Sequence, residues 1–285
     1  MLIEKTFPID AIKDEFRVWN QFASPQLILT KNVENICSHG FTEILNNVID
    51  HSTCSSVGIK VQQDAKTTSF EIKDDGVGIF EKLIKHFNLD SDTHAAIELI
   101  KGKLTVDPEA HSGEGLFFSS KMFDKFEIES GTLKLSFEDN KCFVSRVEFR
   151  QGTVIRMVID NNATITAREV FDRYSDLEEL NFCKTKFFVS LSEFEGNLIS
   201  RSQAKRIVSR LENFSEAEID FYGVDSIGQA FADELFRVWR INNPNTKLIV
   251  KNASEDVKKM IKHVESRLDL PQPVSDKAEP SSYSP

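Results

Sequence analysis

Three polar side chains recur four residues apart in Phe41-Thr-Glu-Ile-Leu-Asn-Asn-Val-Ile-Asp-His51: the carboxylate of Glu43, the amide of Asn47 and the imidazole of His51. At about 100° per residue they keep to one side of a helix, while Ile44, Leu45 and Val48 turn to an interior. Burying these polar groups costs free energy unless each has a partner, so the stripe must face water, a metal ion or a ligand. An amphipathic helix on the protein surface meets the same pattern.

The segments that would position such a stripe lie further along. Ser69-Phe-Glu-Ile-Lys-Asp74-Asp75-Gly76-Val77-Gly78-Ile79 alternates as a half-buried strand and then breaks into a glycine turn. His111-Ser-Gly113-Glu-Gly115-Leu-Phe-Phe-Ser-Ser120 is a glycine pair feeding an apolar helix, and Gln151-Gly152-Thr153 restarts a strand that runs to Ile159. In order and spacing these pieces together resemble the ATP-binding domain of the gyrase, heat-shock chaperone, histidine kinase and mismatch-repair ATPases, the GHKL or Bergerat fold. The resemblance covers roughly residues 25–160.

That resemblance implies a role for each matching position. Glu43 matches the carboxylate that polarises the attacking water or hydroxyl, and Asn47 the amide oxygen that holds Mg²⁺ against a triphosphate. Asp74 matches the buried acceptor of the adenine amino group, Gly76 and Gly78 let the backbone pass close to the base, and Thr153 matches the hydroxyl beside that aspartate. Gly113 and Gly115 match the glycines of a lid whose N–H groups face the phosphates. The implied ligand is Mg-ATP. Magnesium keeps several waters and takes one or two protein oxygens plus phosphate oxygens, so one asparagine carbonyl suffices for a nucleotide-bound ion. Glu43, one turn before Asn47, is then a candidate base where in-line attack needs positioning more than covalent help. His51 reads either as a neighbour of the phosphates or as a cap on the helix end. Lys101, Lys103 and His111 belong to the stretch expected to form the lid and would meet phosphate charge when it closes.

After Asn162 the pattern changes. Thr166 to Tyr174 reads as a linker helix, and from Lys186 strands and helices alternate, which predicts a small parallel or mixed α/β layer. Asp220-Phe-Tyr-Gly-Val224 followed by Phe231-Ala-Asp-Glu234 resembles STAS-like domains found next to such ATPase domains. Asp225-Ser226-Ile227-Gly228 matches the short pattern around the phosphorylated serine of anti-anti-sigma proteins, making Ser226 a possible phospho-acceptor at a helix N-terminus. The same residues also read as a plain helix cap. The expected fold class is α/β: a two-layer α/β sandwich with a smaller α/β STAS-like domain. The expected division is an N-terminal segment over 1–24, the ATP-binding domain over 25–162, a linker helix over 163–184, the STAS-like domain over 185–268 and a disordered Pro- and Ser-rich tail over 269–285. Residues 1–30 read either as an edge strand and short helix or as a dimer arm, and the hairpins from Glu127 to Ile159 are expected to complete a mixed sheet.

Composition narrows the function. A formal charge of −10 without a basic cluster argues against a phosphate-tracking nucleic-acid surface. Cys37, Cys54, Cys142 and Cys183 are widely spaced, which fits reduced thiols better than a metal or disulfide framework. The absence of a signal pattern and of a long apolar run predicts a soluble cytoplasmic protein without a membrane partner. None of the six histidines precedes Glu or Asp, so the phospho-acceptor pattern of histidine kinases is missing. The expectation is an Mg-ATP-binding regulatory protein, a switch or ATPase with a protein partner or a second copy of itself. The alternatives are a protein serine kinase similar to anti-sigma factors, with Ser226 or a partner's serine as acceptor, and a scaffold that binds a partner without nucleotide.

Overall fold

A computed structural model describes residues 1–104, 113–139, 141–176, 181–189 and 197–266. The tail expected from 269 onwards, His111 and residues 177–180 of the expected linker lie outside the described residues. The first half runs β1 (Leu2–Pro8), α1 (Glu15–Val18), α2 (Lys31–His51), β2 (Ser56–Gln63), β3 (Thr67–Asp74), α3 (Ile79–Phe87), α4 (Asp92–Lys101), α5 (Gly115–Met122), β4 (Lys125–Glu138) and β5 (Lys141–Asp160). Its strands form one sheet in the order β1-β2-β3-β5-β4, every neighbouring pair antiparallel. A mixed sheet was the expectation. The difference follows from connectivity, since β2–β3 and β4–β5 are hairpins and neither needs the crossover that a parallel pair requires. Of the two readings of the N-terminus, the edge strand is realised: β1 pairs with β2 from Leu2 opposite Gln62 to Pro8 opposite Ser56.

Alternation explains the layers. Val57, Ile59 and Val61 on β2, Phe70 and Ile72 on β3, and Met157 and Ile159 on β5 are at most 1 % exposed and share one core with Val33, Ile36, Phe41, Ile44 and Leu45 of α2. Thr30 starts α2 by accepting the Val33 N–H, which satisfies a donor the first turn leaves open. Phe41 locks the helix to the sheet between Trp19 and Phe70, with ring centroids 5.4 and 5.9 Å away. Truncating such a fully buried ring costs roughly 3–5 kcal/mol, so the helix carrying the polar stripe has one fixed rotation against the sheet.

The second half begins with α6 (Ala167–Tyr174), opened by a reciprocal capping box of Thr166 and Glu169. It continues with β6 (Lys184–Phe188), α7 (Arg201–Val208), β7 (Glu216–Asp220), α8 (Gln229–Asp233), α9 (Trp239–Asn242), β8 (Lys247–Lys251) and α10 (Glu255–Glu265). A wide-turn segment Glu234–Val238 joins α8 to α9. The three strands pair in parallel in the order β6-β7-β8, with helices as the crossovers. Among the described residues, no helix is long and apolar enough to cross a membrane.

Candidate functional site

The site is built along α2. Gly40, Phe41, Ile44, Leu45 and Val48 are buried, which leaves Glu43 and Asn47 half-buried on the other face. Neither side chain has a hydrogen-bond partner among the described residues. The next element on this face is α5, whose first residue is Gly115. A Cβ at Gly115 would land on the Glu43 carboxylate, so glycine lets the start of α5 lie directly on that side chain without pushing it aside. The start of α5, whose first N–H groups have no partner within the helix, thus lies beside the carboxylate end of the stripe.

The glycine turn after β3 is fastened to the C-terminal end of the same helix. Val77 N–H donates to the carbonyl of Ser52, the C-cap of α2, at 3.1 Å. A Cβ at Gly76 would overlap that carbonyl, so the close approach requires glycine. Asp75 holds the turn from outside: it accepts from Ser55 N–H at 2.7 Å and Ser55 Oγ at 2.5 Å, and from Ser56 N–H and Oγ. The Ser55 hydroxyl and the Ser56 N–H together hold the Asp75 carboxyl down at about 2.

Asp74 itself points inward and is 3 % exposed. The register Lys73 opposite Val154 sets it beside Thr153. Its Oδ1 accepts from Gly76 N–H at 2.9 Å, and Thr153 N–H supplies a second donor. Burial raises its pKa against the pull of these two N–H groups. The Thr153 hydroxyl accepts from Ile79 N–H at 3.0 Å, which satisfies the start of α3 and leaves its own proton available beside Asp74. Gly78 caps α3, and the Ser130 hydroxyl next to it donates to the Gly152 carbonyl at 2.8 Å.

The other predicted positions fall differently. Gly113 lies against the backbone of Leu104. His51 is the last residue of α2, but the C-cap is Ser52, and the His51 carbonyl is taken by Lys82 Nζ at 2.6 Å. Lys101 and Lys103, expected to meet phosphate, turn the other way: Lys101 donates to the carbonyls of Arg206 and Ser209 and Lys103 to that of Asn213, all in the second half. Ser226 is exposed but does not cap or start a helix, because α8 begins after Gly228 and Ser226 lies two residues before that cap.

Sequence reasoning missed His39, although it extends the four-residue spacing by one step towards the N-terminus. Its Nε2 is buried without a hydrogen-bond partner among the described residues, and its ring packs edge-on to Phe171 of α6, 5.7 Å between centroids. Burial keeps the imidazole neutral, with Glu43 opposing that effect. Gly152 was also missed as a contact residue: at φ +75° it passes so close to Asp74 that a Cβ would meet the Asp74 backbone. For a divalent cation, the described residues hold no cluster of three or more His, Cys, Asp or Glu. The unpartnered amide of Asn47 is the kind of single oxygen donor that a magnesium ion already carried by phosphates needs.

Comparison with known families divides the chain as the geometry does. Residues 32–162 match the family described as histidine kinase-, DNA gyrase B-, and HSP90-like ATPase. Residues 203–258 match a STAS-like domain of unknown function. No curated protein matches the chain. With Asp74, the glycine turn and the start of α5 all fastened to one polar-striped helix, and a parallel three-stranded layer following, the chain carries a GHKL-type ATPase domain followed by a STAS-like domain.

Proposed function

We propose that this chain is an Mg-ATP-binding regulatory protein, a nucleotide-dependent switch whose ATPase domain acts through the STAS-like domain. The ATP-binding unit would span residues 25–162 and the STAS-like unit 185–268. One observation carries the reading: Glu43 and Asn47 stand half-buried without hydrogen-bond partners among the described residues, with the first residue of α5 directly against Glu43. Both side chains are reached by solvent rather than buried, so the water they hold can give way to phosphate oxygens and the ion those carry.

In this reading Asp74 accepts from the purine amino group, with the Thr153 hydroxyl beside it, and Gly76 and Gly78 keep the turn low enough for the base to approach. Asn47 would hold Mg²⁺, which when bound would offset the charge of the phosphates. Gly113 and Gly115 present backbone N–H groups to the phosphate oxygens. Glu43 orients and deprotonates the attacking water or hydroxyl.

The test is a binding titration with ATP, ADP and GTP, with and without Mg²⁺, followed by incubation with γ-labelled ATP. ATP should bind with Mg²⁺ dependence, and Asn47→Ala should remove that dependence. Glu43→Gln should keep binding and lower phosphate release by about 100-fold or more, the usual weight of a general base. Label that appears on the protein and disappears in Ser226→Ala would redirect the chemistry to serine phosphorylation. Failure to bind any adenine nucleotide would refute the proposal.

A further inference from the structure

Two helices of the ATPase domain end on the STAS-like domain. At the C-terminal end of α4, Lys101 is 1 % exposed, and its Nζ donates to Glu98 at 2.7 Å and to the carbonyls of Arg206 at 2.9 Å and Ser209 at 2.7 Å. Those carbonyls close the last turn of α7, so a cation from one domain caps a helix of the other. Glu98, 2 % exposed, is also reached by Arg210 Nη1 at 3.4 Å from the STAS-like side. Arg210 Nη2 donates to the Lys103 carbonyl at 2.5 Å, and Thr185 of β6 donates to the Lys101 carbonyl at 2.7 Å. Gly102, at φ +81°, leaves just enough room for Phe182, since a Cβ there would sit 2.7 Å from that ring.

The second helix, α5, makes the same connection from the other side. Its first residue abuts Glu43, while Phe117 stacks on Phe182 at 4.6 Å and the Lys121 ammonium faces the Phe188 ring of β6 at 5.6 Å. Eight residues, about 12 Å of helix, therefore separate the candidate phosphate end of the site from the edge of the STAS-like sheet. With Glu98 and Lys101 buried and Arg210 closing the rim, the cluster has few intermediate arrangements: taking Lys101 off α7 leaves carbonyls of that helix end without their cation. It therefore holds α4 and α7 together or releases them as a unit.

We propose that the Glu98–Lys101–Arg210 cluster couples the nucleotide site to the STAS-like domain, so that nucleotide binding changes the stability of α7 rather than only that of the pocket. The proposal rests on the nucleotide reading above and adds the route by which the second domain responds. Coupling between two sites is reciprocal and typically amounts to 5- to 150-fold.

Hydrogen exchange of the full chain, with and without a saturating non-hydrolysable ATP analogue and Mg²⁺, tests it. Amides of the Gly76–Ile79 turn and of α7 should both slow, α7 by about 5- to 150-fold. In the paired variant Glu98→Gln/Lys101→Met, which removes both charges together, the turn should still slow on nucleotide addition while the α7 response is lost. Arg210→Asn, at the rim of the cluster and at a left-handed position that Asn tolerates, should reduce the α7 response and serves if the paired variant does not fold. A protected turn with an unchanged α7 in the wild type overturns the coupling and leaves the nucleotide reading standing. An α7 response that persists in the variants overturns the role of the cluster, and silence at both places overturns the nucleotide reading together with the coupling.

Discussion

Replacing Asp74 by asparagine isolates the group assigned to the purine base. The side chain keeps its size, is 3 % exposed in the wild type, and already takes N–H donors from Gly76 and Thr153. What the variant loses is the charged acceptor. A hydrogen bond to a charged group contributes about 1.5–3 kcal/mol, so ATP should bind roughly 10- to 150-fold more weakly. The new amide must also turn its NH₂ towards one of the backbone donors or give up an acceptor, which should lower folding stability by about 1–3 kcal/mol. The two effects separate if affinities are measured calorimetrically well below the unfolding temperature of both proteins, and stability is followed by denaturant titration. Inorganic tripolyphosphate, which has no base, is the control ligand and should bind wild type and variant alike. An equal loss for ATP and tripolyphosphate would refute the assignment.

Further predictions follow from the same geometry. Because burial raises the Asp74 pKa, its protonation should weaken adenosine binding as the pH falls, beginning above the pH at which an ordinary aspartate takes up its proton and vanishing in Asp74→Asn; a flat profile in the wild type contradicts this. The sign for stability is opposite, since the folded chain holds that proton more tightly than the unfolded chain and Asp74 therefore adds stability as the pH falls. Asp75 works the other way: its carboxyl is depressed from 3.8 to about 2, so its contribution is present above pH 3.8 and is lost as the pH falls through about 2. Wild type and Asp75→Asn should then converge in stability at the acid end of a denaturation series, and a difference that grows on acidification would count against the serine anchor. Gly115→Ala pushes against the movable end of Glu43, so stability should fall by less than the 1–3 kcal/mol typical of overpacking, while turnover drops as strongly as in Glu43→Gln. Unchanged turnover would separate Gly115 from the site.

The elements that carry the site were legible because their signals are local. A 3.6-residue period of apolar positions places Glu43 and Asn47 together on α2, a two-residue alternation makes β3, and the glycines after Asp74 mark where it must turn. Each depends on backbone geometry within a dozen residues, which the side chains of those residues decide among themselves. The second half was legible as a parallel or mixed α/β layer for a similar reason, since a parallel pair needs a crossover and the helices between its strands can supply one; that all three strands run parallel was decided by the fold.

Partners distant in sequence were decided by the tertiary structure alone. Nothing in the string of residues says that Gly115 will rest on a carboxylate near position 43, and the nearness of Thr153 to Asp74 was available only through the family resemblance, not from the residues between them. Those contacts arise from antiparallel pairing of β3 with β5 and from the seating of α5 on α2. Lys101 shows the limit most clearly. Its position in a Lys- and Gly-containing stretch suggested a phosphate, yet its ammonium meets carbonyls 105 and 108 residues further on. A long flexible side chain goes where the packed fold leaves unmatched acceptors, and only the arrangement of the two domains determines where those acceptors are.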